Sequence, residues 1–216
     1  MGKTLLITRP EHDAGTRYLS KWSEKIIDIA KDKGINVIDL HREKARRDRV
    51  IGTLEKTGAK LAILNGHGSD NSVHGHDNEI ILKEDDTKAI KDKIIYARSC
   101  RSAKSLGKNS IIQGALAYLG YTEDFIMLSN ETNIGKPLED KTAELFLEPS
   151  NYIPVSLVKG HTAGDANNRS KKLFRENIER LVIEGPESSD DYNAIRYLLW
   201  DMTHQVCLGD ENAIFA

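Results

Sequence analysis

The sequence is poor in cysteine and proline, and it holds no long hydrophobic run. Its 216 residues include two cysteines and five prolines. Two cysteines cannot form the disulfide framework of a secreted domain, so we expect a reducing compartment and a cytoplasmic location. The apolar run at residues 5–7 is too short for a signal peptide, and no run approaches transmembrane length. We therefore expect no association with a membrane.

An excess of charge of one sign is also missing. Lysine and arginine number 31, aspartate and glutamate number 33, and the net charge is −2. A chain without a global field does not attract nucleic acid, so we expect no nucleic-acid partner. The most basic segment, residues 41–49, also contains acids and indicates a solvated helix start. A hydrophobic content of 39% with 30% charged residues is ordinary for a globular domain.

The hydrophobic pattern alternates between two periods along the chain. Tyr18, Trp22, Ile26 and Ile29 recur at helical spacing and predict a helix with one buried face. Short apolar runs predict buried strands at residues 4–8, 35–40, 60–64, 93–97 and 115–119. Strands that alternate with helices imply a parallel sheet covered on both faces.

This pattern predicts an α/β fold, a three-layer αβα sandwich around a mostly parallel central sheet of about six strands. We expect one domain over residues 1–216, with the sheet core in residues 1–130 and a mainly helical completion in residues 131–216. Within the second part, helices are expected at residues 138–147, ended by Pro149, and at residues 193–206. Residues 126–128 are expected to add a short edge strand, and Cys207 is interpreted as a core residue.

Two of the predicted strands end on side chains that suit nucleophilic catalysis. The run 60–64 stops at Asn65-Gly-His-Gly68, and the run 93–97 stops at Arg98-Ser-Cys100. Ligands bind at the carboxyl ends of strands in parallel α/β sheets, so His67 and Cys100 are predicted to form a base and nucleophile pair. The backbone N–H groups of Gly68 and Cys100 are predicted to stabilise the oxyanion.

The same two blocks resemble the caspase-like cysteine peptidase superfamily, which includes caspases, gingipains, clostripain, separase and CHAT domains. In that superfamily the histidine follows the third core strand and the cysteine follows the fourth, as here. Arg98-Ser-Cys-Arg-Ser102 is similar to the caspase signature Gln-Ala-Cys-Arg-Gly, and it keeps the Cys-Arg pair. Leu208-Gly-Asp-Glu211 resembles the Leu-x-Gly-Asp-Pro close of gingipain-type domains, with Glu in place of Pro.

The resemblance implies a caspase-like fold and a cysteine endopeptidase that acts on protein or peptide substrates and needs no cofactor. His67 and Cys100 map onto the catalytic pair of the superfamily. In these enzymes the pocket for the P1 residue, S1, is built from the end of the first strand, the residue two before the cysteine, and the segment after the fifth strand. The residues at these places in this sequence are Arg9, Asp13, Arg98, Glu123 and Asp124.

The charge that this pocket would select is open on sequence grounds. Arg9 and Arg98 could hold an acidic P1 side chain, since guanidinium binds carboxylate in a bidentate manner. Asp13, Glu123 and Asp124 could instead select arginine or lysine, as most superfamily members outside the caspases do. We favour the basic preference, because the nearby acids can neutralise both arginines and a bare pair of arginines is costly to bury.

Other functions compete with the peptidase. A caspase-like module without activity could serve signalling or binding, although both His67 and Cys100 are intact. A cysteine-dependent amidohydrolase of small molecules would normally place the cysteine before the histidine. His67, His74, His76 and Asp77 carry metal-binding groups, but their spacing matches no zinc pattern, so we predict no metal. A regulatory partner protein and the oligomeric state are left open.

Overall fold

A computed structural model describes residues 2–185 and 189–216 of the chain. The strands are β1 (Thr4–Arg9), β2 (Asn36–His41), β3 (Leu61–Asn65), β4 (His67–Ser69), β5 (Ser72–His74), β6 (Ile80–Lys83), β7 (Ile94–Arg98), β8 (Ala117–Tyr121) and β9 (Gln205–Gly209). The α-helices are α1 (Ala14–Asp32), α2 (Arg47–Lys56), α3 (Thr87–Ile90), α4 (Leu106–Ile112), α5 (Lys141–Val158), α6 (Ala163–Glu184) and α7 (Ser189–His204).

Six strands form the central sheet, in the order β2-β1-β3-β7-β8-β9. The strands from β2 to β8 pair in parallel, and β9 pairs antiparallel with β8. This arrangement confirms the prediction of a mostly parallel sheet of about six strands.

Helices cover both faces of this sheet, because alternate residues of each strand point to opposite sides. On one face, Leu5 and Ile63 join a buried cluster with residues of α1, α5 and α6. On the other face, Leu6 and Leu64 join a cluster with residues of α2, α3 and α4. The result is the predicted three-layer αβα sandwich. Among the described residues, no helix combines the length and apolar character needed to cross a bilayer.

The edge of the sheet beyond β8 differs from the prediction. Residues 126–128 form no strand, and β9 takes that edge, with Cys207 opposite Leu119. The predicted helix at 193–206 corresponds to α7, which ends at His204, so Cys207 is a partly buried strand residue and not part of a helix. The periodicity of a five-residue run cannot distinguish a strand from the end of a helix.

Helix α5 also corrects the sequence prediction, because it continues through Pro149 and Pro154 to Val158. A proline inside a helix leaves the carbonyl four residues earlier without its N–H donor. The carbonyl of Leu145 receives the Asn177 side-chain amide at 2.9 Å. The carbonyl of Ser150 receives the hydroxyl of Tyr96 at 2.8 Å. Because tertiary contacts supply both donors, the helix does not stop at its first proline.

A small antiparallel sheet, β4-β5-β6, follows β3. It begins at His67, which lies opposite His74 in the pairing of β4 and β5. Gly66 connects β3 to this sheet with a φ of 149°, and a side chain there would overlap the carbonyl of His74. The glycine before His67 is therefore required by the turn from the central sheet into the small one.

Candidate active site

Three neighbouring strands of the central sheet deliver polar side chains to one edge. β1, β3 and β7 are adjacent and parallel, so their carboxyl ends lie side by side. Asp13 follows the end of β1 by four residues and caps α1. His67 follows the end of β3, and Cys100 follows the end of β7, each by two residues. The predicted base and nucleophile therefore come from adjacent strand ends, together with a carboxylate.

Asp13 uses its two carboxylate oxygens for two different purposes. Oδ1 accepts the backbone N–H of Thr16 at 2.7 Å, which caps the first turn of α1. Oδ2 lies 2.6 Å from Nε2 of His67. Desolvation by burial raises the pKa of Asp13, but the hydrogen bonds from His67 and Thr16 outweigh it, and the pKa is lowered overall. Asp13 is therefore ionised at neutral pH.

The ionised Asp13 determines which nitrogen of His67 carries the proton. A carboxylate can only accept hydrogen bonds, so the short contact assigns the proton to Nε2 of His67. The lone pair of the neutral ring is then on Nδ1. Asp13 was predicted to line the substrate pocket, and its contact with His67 was not predicted. An acidic residue after the first strand was the signal that could have suggested it.

The thiol of Cys100 is partly buried and protonated at rest. Burial is the main cause that raises its pKa, and the carboxylates of Asp124 and Asp201 act in the same direction. The sulfur lies 3.8 Å from the carbonyl oxygen of Phe125, to which the thiol donates. A nucleophilic attack by this sulfur would therefore need a base to take the proton.

His67 and Cys100 border one cavity of about 170 Å³. Leu19, Phe125 and Met127 provide apolar parts of its wall. Leu19 comes from α1, and the other two come from the segment after β8. A cavity of this kind, apolar with a few polar groups, can accept a side chain of a peptide.

The backbone of Gly68 lies close against the backbone of Cys100. A side chain at Gly68 would overlap the Cys100 carbonyl and would come within 3.0 Å of the Cys100 nitrogen. In the part of the chain that the structure describes, the Cys100 N–H donates no hydrogen bond. The two residues named as oxyanion donors are thus neighbours in space, and their role stays a prediction.

Of the five residues that the sequence placed in the S1 pocket, only Arg98 borders the cavity. The guanidinium of Arg9 is bound to Asp39 at 2.6 Å and to Glu24 at 3.2 Å. Asp124 lies 3.5 Å from Nε of Arg101, and the carbonyl of Glu123 accepts the Arg101 N–H.

Arg98 is fully buried, and no carboxylate neutralises it. Its exposed fraction is 0%, and none of the described acidic residues lies within 4.0 Å of its guanidinium. The acceptors are neutral oxygens of Leu19, Ser23, Asn65, Ser150 and Asn151, at 2.8–3.1 Å. The neutralisation of Arg98 by a nearby acid, considered from the sequence, is not seen among the described residues, because helices α1 and α5 enclose the guanidinium and offer it neutral groups instead. Burial lowers the pKa of this cation.

The metal-binding groups lie differently from the set considered in the sequence. His74 Nε2 lies 2.8 Å from the hydroxyl of Ser72. The ligand atoms that lie within 4.8 Å of one another belong to His12, Asp13 and His67. His12 was not singled out in the sequence.

Comparison with known proteins supports the fold. No family profile matches the sequence, and no curated protein matches it. The crystal structure of the Arg specific cysteine proteinase gingipain R matches with a TM-score of 0.64 and 12% identity, over 99% of this chain and 47% of that chain. The complex of the Porphyromonas gingivalis RgpB pro- and mature domains matches with a TM-score of 0.60 and 12% identity, over 98% of this chain and 48% of that chain.

The chain thus spans about half the length of each of these two structures. At 12% identity, the structural match shows a shared fold but does not show that this chain has the specificity of those proteins. The two matches span 99% and 98% of this chain, so they include the central sheet and the helices on both of its faces. The chain therefore has the caspase-like α/β fold that the gingipain structures share.

Proposed function

We propose that this chain is a cysteine endopeptidase in which Cys100 is the nucleophile, His67 is the base and Asp13 orients the base. The observation that carries this proposal is the 2.6 Å contact between Asp13 and His67, beside a cavity that His67 and Cys100 border together. Carboxylate, imidazole and thiol at neighbouring strand ends form the constellation expected for activated nucleophiles.

The proposed reaction begins with proton transfer, because the buried thiol is protonated at rest. Nδ1 of His67 takes the thiol proton as the Cys100 sulfur forms a bond to the carbonyl carbon of the substrate. Asp13 stabilises the imidazolium through the Nε2 contact. The substrate oxygen becomes an oxyanion, and the N–H groups of Gly68 and Cys100 donate to it.

The second half of the reaction releases the two products. The C–N bond breaks, and the leaving amine takes the proton from His67. Water then hydrolyses the thioester, with His67 acting again as the base. This cycle needs no metal or cofactor.

Cleavage of a fluorogenic peptide tests the assignment of the two residues. Cys100→Ala and His67→Ala should each lower kcat/KM by at least about 10³-fold, since truncating a catalytic unit removes most of its effect. Cys207→Ala is the matched control, because Cys207 lies in β9, and its rate should stay close to that of the unchanged protein. Retained cleavage in Cys100→Ala would exclude this thiol as the nucleophile.

The environment of Arg98 supports a preference for an acidic P1 side chain, which is the opposite of the basic preference favoured from the sequence. Among the described lining residues of the cavity none is a carboxylate, so a basic P1 side chain would find no counter-charge. Arg98 borders the same cavity as a buried cation without a carboxylate. Its N–H groups already donate to neutral oxygens, so an acidic P1 side chain would be favoured by the positive field of this buried cation and not by a direct ion pair. We infer that P1 is acidic.

A pair of peptides that differ only in aspartate or arginine at P1 tests this preference on the unchanged protein. The aspartate peptide should be cleaved with the higher kcat/KM, and faster cleavage of the arginine peptide would refute the inference. Using the unchanged protein avoids the loss of folding expected when the hydrogen bonds of Arg98 are removed. A regulatory partner stays a further proposal, supported by the neighbouring structure that contains a pro-domain and a mature domain.

A further inference from the structure

Asp13 and His67 belong to a larger cluster of metal-binding atoms that includes His12. Nε2 of His12 lies 3.4 Å from Oδ2 of Asp13, the same oxygen that contacts Nε2 of His67 at 2.6 Å. One ligand atom from each of the three residues lies within 4.8 Å of the other two. From this cluster we propose that the chain binds Zn²⁺ through His12, Asp13 and His67, and that the ion inhibits the peptidase activity proposed above, on which the inhibitory part depends.

The donor set suits zinc. Two imidazole nitrogens and one carboxylate oxygen are ordinary zinc ligands, at about 2.0–2.2 Å from the ion. Tetrahedral coordination at that radius places the ligand atoms roughly 3.4 Å apart. The 3.4 Å separation between His12 and Asp13 already meets this requirement. The 2.6 Å contact of His67 must widen when the ion replaces the shared proton, and the His67 side chain is 47% exposed and can shift.

His12 is held in place beside the carboxylate. Its side chain is 11% exposed, and its ring packs edge-on against His67 and His76, with centroids 5.7 Å and 5.4 Å away. Its Nδ1 is buried and has no hydrogen-bond partner in the described structure. The Oδ1 atom of Asn78 lies 3.3 Å from Nε2 of His12, and the fourth position on the zinc is left to water.

An ion can reach this cluster from solvent. His12 and Asp13 border a second cavity of about 250 Å³, which also contacts Glu11 and Arg17. This cavity is separate from the one that Cys100 borders, so the ion would not have to pass the thiol.

Zinc at this position would invert the tautomer of His67. Without the ion, Nε2 carries the proton and Nδ1 has the lone pair that takes the thiol proton. With the ion, the Nε2 lone pair binds zinc, and the ring proton moves to Nδ1. The ring then has no free lone pair to accept a proton from Cys100. The ion therefore removes the base without touching the nucleophile.

Calorimetric titration with zinc chloride tests the site on the Cys100→Ala variant, whose lack of the thiol excludes binding through that sulfur. This variant should bind one equivalent of zinc. Adding His12→Ala should weaken binding by about 10–100-fold or more, the loss expected when metal-site residues are removed. His74→Ala is the matched control, because His74 belongs to the same small sheet but not to the cluster, and it should leave the affinity unchanged.

Activity assays then test the inhibition separately from the binding. Zinc should stop cleavage by the protein with Cys100 intact, and a chelator should restore it. His12→Ala should be less sensitive to zinc, relative to its own rate without metal. Equal zinc affinity with and without His12, or a loss with His74→Ala as large as with His12→Ala, would overturn the site. If zinc binds as expected and no peptide is ever cleaved, the site stands and the peptidase proposal fails.

Discussion

Replacing Asp13 with asparagine separates the two functions of this side chain. In the structure, Oδ1 caps helix α1 through the Thr16 N–H, and Oδ2 orients His67. Asparagine is as good an N-cap as aspartate, so its oxygen can keep the contact to Thr16. Its amide nitrogen then faces Nε2 of His67, where the carboxylate oxygen stood.

The amide nitrogen is a donor, so it forces a change in His67. Two N–H groups cannot face each other at 2.6 Å, and the imidazole responds by giving its Nε2 lone pair to the amide. The ring proton moves to Nδ1, and the base is lost. The corresponding substitution in a serine protease triad costs about 10⁴ in kcat, so Asp13→Asn should lower kcat/KM by about 10³–10⁴-fold.

Stability should respond to a different substitution. Asp13→Asn keeps the cap and should change the free energy of unfolding by less than about 0.5 kcal/mol. Asp13→Ala loses the cap as well, which costs about 1 kcal/mol, or about 2–4 °C in Tm for a domain of this size. The measurements are peptide cleavage and thermal unfolding on the same preparations of both variants.

Two outcomes would refute this account of Asp13. Cleavage by Asp13→Asn within tenfold of the unchanged protein would mean that the carboxylate does not set the tautomer of His67. A loss of Tm in Asp13→Asn equal to that in Asp13→Ala would mean that asparagine does not retain the cap. The second result would make any loss of activity a consequence of the altered start of α1.

Three further predictions concern residues around the site. Gly68→Ala should lower both activity and stability, the latter by about 1–3 kcal/mol, because the added carbon would overlap the Cys100 carbonyl; normal activity and Tm would contradict this close approach. The partners of Glu11 lower its pKa from 4.5 to about 2, so its contribution to stability is complete above pH 4.5 and is lost as the pH falls toward 2. Between those pH values the free energy of unfolding should therefore depend less steeply on pH in Glu11→Gln. An unchanged pH dependence would refute this. Iodoacetamide should label Cys100 before Cys207, because burial and nearby acids raise the pKa of Cys207 to about 11; mass spectrometry that finds Cys207 labelled first would show that the wrong thiol was chosen.

The main elements of the fold could be predicted because they depend on local patterns. β1, β2, β3, β7 and β8 appear in the sequence as short apolar runs, and α1 appears as a 3.6-residue period, whereas the three short strands of the small sheet show no such pattern. The extent of α5 could not be predicted, since its continuation past Pro149 and Pro154 depends on donors from Asn177 and Tyr96. β9 could not be predicted either, because its partner β8 lies more than 80 residues earlier in the chain.

The site was only partly visible for a related reason. His67 and Cys100 could be predicted as site residues because each follows a recognisable strand, while Asp13, the partner of His67, lies 54 residues away in sequence. Side chains alternate along a strand, so Arg98 lies on the same side as Cys100, and both residues border the cavity. The alternation predicts on which side of the strand a side chain lies, but not how deeply it is buried. The burial of Arg98 depends on how α1 and α5 pack over it.

The order of the strands explains why Asp13, His67 and Cys100 lie at one edge of the sheet. β3 lies between β1 and β7, so the histidine that follows β3 has the end of β1 on one side and the end of β7 on the other. Asp13 reaches His67 from the β1 side at 2.6 Å. Cys100 stands on the β7 side and shares a cavity with His67. The proposed base would have to contact a carboxylate through one nitrogen and a thiol through the other, and the middle strand is the position that allows both.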